Sequence, residues 1–187
     1  MKHRNELELL KTELGNIGNR AREEFGSLSA PQLNWKPSAE RWSVAQCFDH
    51  LIAGNSAYFP IMEALANGKR QIRAIERIPV LPKVWARLLI KSLDPKTTRK
   101  LKAPAGFQPA ASDLPGTIIE DFVANQNRVA ELMAMTRDLD LERIIITSPA
   151  ASAITYSAMD AFRIVVVHEQ RHFQQAQRVK QESLFPK

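Results

Sequence analysis

Cysteine, glycine and long apolar runs are all scarce in this sequence of 187 residues. The single cysteine, Cys47, excludes an internal disulfide, and seven glycines are few for a β-rich or flexible chain. No run approaches the roughly 18 apolar residues of a membrane-spanning helix, and no apolar signal-peptide core follows the charged start Met1–Glu6. We therefore expect a cytoplasmic protein without a membrane span.

The apolar content, 44% of all residues, is that of a soluble helical domain with a full core. Four long stretches repeat apolar residues at helical spacing. They are predicted at 5–28, from Ser43 to Gly68, from Thr117 to Leu139, and from about 155 to 181. The fold prediction is all-α: a four-helix bundle made by a single domain, residues 1–187, with a long crossover at 69–115 between helices two and three.

Local signals mark where these helices begin and break. Ser43 with Gln46, and Thr117 with Glu120, have the spacing of capping boxes, so a helix is predicted to start at each pair. Pro60 lies inside the second apolar pattern and lacks the N–H that a continuous helix needs. We therefore predict a kink or a break at that proline.

The connections are less regular. Residues 27–37 contain serines and prolines and are predicted as a loop. The crossover 69–115 is rich in proline, with one short amphipathic helix predicted at 84–91. Its length is typical of a functional cover rather than a plain linker. The stretch 138–149 fits either a frayed helix end or a short extended segment.

Positive charge is concentrated in the crossover. Of the formal net charge of +6, the segment 69–102 carries a local +9, because eleven Lys or Arg face only Glu76 and Asp94. Such a segment attracts anionic ligands. An interfacial or nucleic-acid-binding role is the alternative, but aromatic residues are few and no helix-turn-helix signature is present, so no nucleic-acid partner is expected.

Histidines occupy positions of the last helix where a bundle normally has aliphatic residues. Its inward stripe reads Ala161, Val165, His168, His172, Ala176 and Val179. His168 and His172 are one turn apart and can converge on one ion, and His50 in the second helix is also surrounded by apolar residues. Three neutral imidazoles predict a divalent metal site with an open position; zinc is the default, and nickel, iron or manganese are possible. The alternative is a set of core histidines bonded to polar neighbours.

The catalytic residues are unassigned by sequence, but several polar residues near these histidines are candidates. Gln46 either points at the ion or completes a helix cap. Glu169 and Asp49 could orient imidazoles from outside the ligand set, or be solvated. Arg171 could receive an anionic substrate group, or form a surface ion pair. Cys47 either approaches the site or serves as a small core hydrophobe.

These motifs together resemble one known family. They are Trp42-Ser43-Val44 with His50-Leu51, then Phe107-Gln108-Pro109, and finally His168-Glu169-Gln170-Arg171-His172 with Gln175. The order is similar to that of the DinB-like superfamily. The resemblance implies a four-helix bundle, a divalent metal held by His50, His168 and His172, and, as in several members, a homodimer. Characterised relatives include transferases that use low-molecular-weight thiols such as bacillithiol, and a mycothiol-dependent maleylpyruvate isomerase.

The leading functional hypothesis is a metal-dependent S-transferase. A low-molecular-weight thiol would be held at the metal as thiolate and attack an electrophile, while the basic crossover attracts the carboxylates of the thiol cofactor. A metal-dependent hydrolase is the nearest alternative. A noncatalytic stress-response or binding module is the alternative from a different class.

Overall fold

The computed structural model describes residues 2–78, 81–94, 105–110 and 113–187. The helices are α1 (Lys2–Phe25), α2 (Ala30–Asn34), α3 (Val44–Ser56), α4 (Phe59–Ala66), α5 (Leu81–Leu93), α6 (Ile118–Thr136) and α7 (Ala158–Lys180). Two strands, β1 (Ile145–Ser148) and β2 (Ala151–Ser157), form a hairpin, and short 3₁₀ turns lie at Ala74–Arg77 and Ala105–Phe107. The described chain is therefore mostly helical, as predicted.

The core lies between packed helices. α3 packs against both α6 and α7, and α1 packs against the same two helices. Aromatic rings fill one end of this core: Phe25 makes edge contacts with Phe48 and Phe173, and Phe48 also contacts Phe122. None of the described helices is long and apolar enough to cross a membrane. The apolar stripes therefore face one another, as their helical periodicity predicts.

The hairpin is the main departure from the all-α prediction. β1 and β2 pair antiparallel, with Ile145 opposite Ser157 and Thr147 opposite Thr155. The run from Ile144 to Thr147 is β-branched, which favours extended backbone over helix. The stretch 138–149 thus ends in the extended segment that was one of its two predicted conformations.

The predicted capping boxes had different outcomes. Ser43 and Gln46 form one at the start of α3, as predicted. The second prediction was wrong: Thr117 makes no side-chain cap at the start of α6, and its hydroxyl donates to Asp121 instead. Glu120 forms a bidentate ion pair with Arg22 on α1, at 2.9 and 2.7 Å. A charged partner on the neighbouring helix therefore takes the carboxylate that the cap would have used.

Of two predictions for the connecting segments, the loop at 27–37 needs correction and the break at Pro60 is confirmed. The predicted loop 27–37 contains the short helix α2, because Ser29 and Gln32 form a capping box that the loop prediction overlooked. The predicted break at Pro60 is confirmed: α3 ends at Ser56, α4 begins at Phe59, and the proline occupies its first turn. Pro60 therefore lies at the start of a second helix and does not interrupt a continuous one.

An ion pair closes the free edge of β1. Arg70 donates to the Ile145 carbonyl, and one oxygen of Glu76 accepts the backbone N–H of Thr147 at 2.9 Å. Burial raises the pKa of Glu76, but hydrogen bonds from Arg70, from the backbone of Arg73 and from Thr147 outweigh it, so the pKa is lowered. The pair takes the place of a third strand and fixes the beginning of the crossover to the hairpin.

Replacement of Glu76 tests this attachment. Glu76→Ala removes the acceptor of the Arg70 guanidinium and of the Thr147 N–H. The pair that is broken is mostly buried, since the Arg70 and Glu76 side chains are 16% and 5% exposed. We expect a loss of about 3–5 kcal/mol in the free energy of unfolding, measured by urea denaturation. Glu63→Ala is the control, since the Arg128–Glu63 pair is 37% and 41% exposed and solvent screens it, so its loss should change stability little. Equal losses in the two variants would contradict the role of Glu76.

Candidate metal centre

Three histidines meet where α3 packs against α7. His50 lies two turns into α3, and His168 and His172 lie on successive turns of α7. The ring centroids are 4.8, 4.6 and 4.7 Å apart for the pairs 50–168, 50–172 and 168–172. One ligand nitrogen from each ring lies within 4.8 Å of the others. The residues predicted as metal ligands are therefore brought together.

Hydrogen bonds determine the tautomers of His50 and His172, and so which ring nitrogen keeps a lone pair. His50 Nδ1 lies 2.5 Å from the Phe107 carbonyl oxygen, and His172 Nδ1 lies 2.9 Å from Gln175 Oε1. Because an oxygen of either kind can only accept, both Nδ1 atoms carry the proton. The Nε2 atoms of these two rings are left with lone pairs, which is the form that a metal ion binds.

The third ring faces the first one directly. Nε2 of His168 lies 3.0 Å from Nε2 of His50. For tetrahedral zinc with bonds of about 2.0–2.1 Å, ligand nitrogens are roughly 3.3 Å apart. That separation is close to the observed one, and the ligand atoms of all three rings lie within 4.8 Å of one another. The donor set therefore fits a divalent ion.

Burial keeps the three rings neutral. It lowers the pKa of His168 to about 3, with further lowering by His50 and Arg171. Burial and the neighbouring imidazoles lower the pKa of His172 well below its usual value, and burial also lowers that of His50. At neutral pH all three rings therefore offer uncharged nitrogens.

Two residues that the sequence did not connect with the site shape its walls. The Trp42 ring stacks on His172 at 5.5 Å and lies 4.9 Å from the His50 ring. On another side, a Cβ added to Gly54 would lie 3.3 Å from His168 Cε1, so only glycine leaves full room for that ring. A lone glycine one turn after His50 inside a helix was the available signal.

Gln46 and Asp49 both hold the crossover. Gln46 Oε1 accepts the Ser43 N–H in the helix cap, and its Nε2 donates to the Ala110 carbonyl at 2.8 Å. Asp49 Oδ2 accepts the Ala110 N–H, also at 2.8 Å. Gln46 is thus the cap residue that sequence reasoning offered as its second possibility, and it has an additional partner there.

Glu169 lies in the core between three helices and is fully buried. Its carboxylate accepts from Asn55 of α3 at 2.8 Å and from Gln126 of α6 at 2.6 Å. Burial raises its pKa to about 7, against the opposing effect of these two donors. Neither Asn55 nor Gln126 was among the residues predicted from the sequence, although Gln126 lies at helical spacing between inward Phe122 and Val129.

The remaining candidates have structural partners. Arg171 Nη1 donates to the carbonyls of Ser92 and Asp94, each at 3.3 Å, where α5 ends. A guanidinium is favourable at the C-terminus of a helix, whose carbonyls lack intrahelical partners. Cys47 is fully buried in the core, where burial raises the pKa of its thiol. It packs as the small hydrophobe that was one of its two interpretations.

Known proteins resemble the chain over most of its length. The DinB superfamily profile matches residues 14–176, a range that includes all three histidines. The uncharacterized protein YuaE of Bacillus subtilis (strain 168) is 28% identical over 162 residues, covering 84% of this chain and 89% of that protein. No solved structure matches the chain significantly.

Gly54→Ala tests the wall beside His168. The added methyl group must displace the ring, so we expect zinc affinity, measured by chelator competition, to fall about tenfold. Gly15→Ala is the matched control, because a Cβ at that helical glycine meets no atom within 4 Å. It should raise the free energy of unfolding by about 0.5–1 kcal/mol and leave zinc affinity unchanged. Unchanged affinity in Gly54→Ala would contradict the close packing.

The metal-free protein should lose stability as the pH falls from 6.5 toward 4.5. The unfolded chain protonates its histidines near their ordinary pKa of 6.5, whereas the three rings in the folded chain have lowered pKa values and resist protonation. Each such ring lowers the unfolding free energy by up to about 1.4 kcal/mol per pH unit. The stability that these rings contribute is thus present above pH 6.5 and lost on acidification.

Glu169 has the opposite effect on the pH dependence of stability. Its pKa is raised from 4.5 to about 7, so its contribution is complete below pH 4.5 and is lost as the pH rises through 7. One carboxyl offsets only part of the effect of three imidazoles. Urea unfolding in the presence of a chelator measures the net slope, which Glu169→Gln should steepen and His168→Asn should reduce. A stability that rises on acidification would contradict the assignment.

Proposed function

This chain belongs to the DinB superfamily, and we propose that it binds a divalent metal ion through His50, His168 and His172 for S-transfer from a low-molecular-weight thiol. The observation that carries the proposal is the approach of three neutral imidazoles to within 4.8 Å of one another. Zinc is the proposed ion; nickel, iron and manganese suit the same donors. We also propose that α1, α3, α6 and α7 are one four-helix bundle.

The protein prepares the three rings before any ion arrives. The Phe107 carbonyl holds the proton of His50 on Nδ1, and Gln175 does the same for His172. Burial keeps both rings neutral at pH 7. Trp42 covers one flank of the two rings and limits their rotation. These contacts lower the cost of assembling the ligand set.

Three protein ligands are the number found in catalytic zinc sites, whereas structural sites have four. A divalent ion at this centre would supply Lewis acidity, which lowers the pKa of a thiol or water that reaches it. In the proposed transfer, the sulfur of the thiol forms a bond to an electrophilic carbon. The leaving group departs with the electron pair of its broken bond, and the thiol proton passes to solvent.

The charge distribution favours an anionic thiol. The segment 69–102 has a local charge of +9, and its described part includes the exposed residues Arg73, Arg77 and Arg87. Arg171 attaches the end of α5, within the same segment, to the helix that carries two of the ligands. A thiol cofactor with carboxylates would therefore be attracted toward the metal centre.

Metal content is the first test. Protein purified without a nickel column should contain about one divalent ion per chain by elemental analysis. Removal of a ligand in His50→Ala or His168→Ala should weaken zinc affinity by at least about a hundredfold, more than loss of a supporting contact does. His3→Ala, which changes a histidine outside the cluster, should have no effect. Full metal content in both ligand variants would refute the site.

Turnover is the second test. Metal-loaded protein is incubated with a panel of low-molecular-weight thiols and monochlorobimane, and separately with ester and amide substrates. We expect thiol conjugation that disappears in His168→Ala and after treatment with a chelator. Turnover of only the esters or amides would replace the transferase proposal with a hydrolase.

A further inference from the structure

One face of α3 holds both the metal centre and the crossover. Gln46, Asp49 and His50 are spaced at i, i+3 and i+4 and therefore share a helix face. Each contacts a backbone atom of the crossover: the Ala110 carbonyl, the Ala110 N–H and the Phe107 carbonyl, respectively. The face that presents His50 to the ion thus also docks residues 107–110.

Ala110 is held at both of its backbone polar groups, each bond being 2.8 Å long. The Gln46 amide cannot swing freely, because its oxygen accepts the Ser43 N–H at 3.1 Å in the helix cap. Asp49 belongs to the same rigid helix. Ala110 is therefore fixed relative to α3 by two groups that the helix itself orients.

This fixed point lies three residues from the carbonyl that bonds the metal ligand. Phe107 belongs to a short 3₁₀ turn, and only Gln108 and Pro109 separate it from Ala110. Proline restricts the backbone of this connection. Holding Ala110 therefore also limits where the Phe107 carbonyl can lie, and that carbonyl determines which nitrogen of His50 carries the proton.

We propose that Asp49 and Gln46 are positioning residues of the metal centre, which hold Ala110 so that the Phe107 carbonyl keeps His50 Nε2 directed at the ion. Metal binding and docking of residues 107–110 then stabilise each other, since coupling between two binding events is reciprocal. This inference rests on the proposed metal site.

Paired variants of Asp49 separate positioning from charge. Asp49→Ala removes the acceptor for the Ala110 N–H, whereas Asp49→Asn keeps an acceptor oxygen and removes only the charge. We expect zinc affinity to fall about ten- to a hundredfold in Asp49→Ala and to stay within about threefold of wild type in Asp49→Asn. Equal affinity in all three proteins, or equal loss in both variants, would overturn the proposal.

Hydrogen exchange of the unmodified chain gives an independent measurement, which serves even if Asp49→Ala does not fold. Zinc should slow amide exchange in the peptide that covers residues 105–110, because the docked state is then favoured. A peptide from the middle of α1 is the control and should change little. Exchange in 105–110 that is unaffected by bound zinc would overturn the coupling.

Titration of the wild-type chain with zinc distinguishes failure of the metal site from failure of the positioning role. If the wild-type chain binds no zinc, the metal site itself is wrong. If it binds zinc while Asp49→Ala binds equally well, only the positioning role of Asp49 and Gln46 is wrong.

Discussion

The close approach of uncharged ring nitrogens is the constraint on which this structure depends. Nε2 of His50 and Nε2 of His168 are 3.0 Å apart, and Nε2 of His50 has no proton because Nδ1 donates to a carbonyl. Neutral His168 can satisfy that lone pair by donating a proton from its own Nε2, so the rings need no extra charge in the absence of an ion. A divalent ion would replace this hydrogen bond and take a lone pair from each of the three uncharged rings.

Residues around the three histidines hold the rings in this arrangement. A backbone carbonyl and Gln175 fix two tautomers, Trp42 stacks against two rings, and the absence of a side chain at Gly54 leaves room for the third. Most of these contacts involve neutral groups or backbone atoms. The three rings are therefore oriented without a fixed negative charge placed against them, so an ion bound there would keep strong Lewis acidity.

The helices that carry the three histidines are held together by a buried polar cluster. Glu169, next to His168 on α7, accepts hydrogen bonds from Asn55 on α3 and Gln126 on α6, and Gln126 also donates to the Leu14 carbonyl on α1. Apolar packing alone would tolerate small shifts between helices, whereas these directional bonds do not. The cluster therefore relates α3 to α7, on which the geometry of the three rings depends.

The sequence by itself determined the long helices, the cap at Ser43 and the three candidate ligands, because helical periodicity and imidazole among apolar residues are local signals. It left the hairpin ambiguous and misassigned the cap at Thr117, since Glu120 is paired with a residue almost one hundred positions away. Only the tertiary structure decided that Glu169 is buried, that Arg171 contacts the end of α5, and that the Phe107 carbonyl contacts His50. Those roles depend on which groups meet across helices, and chain spacing does not encode such distances.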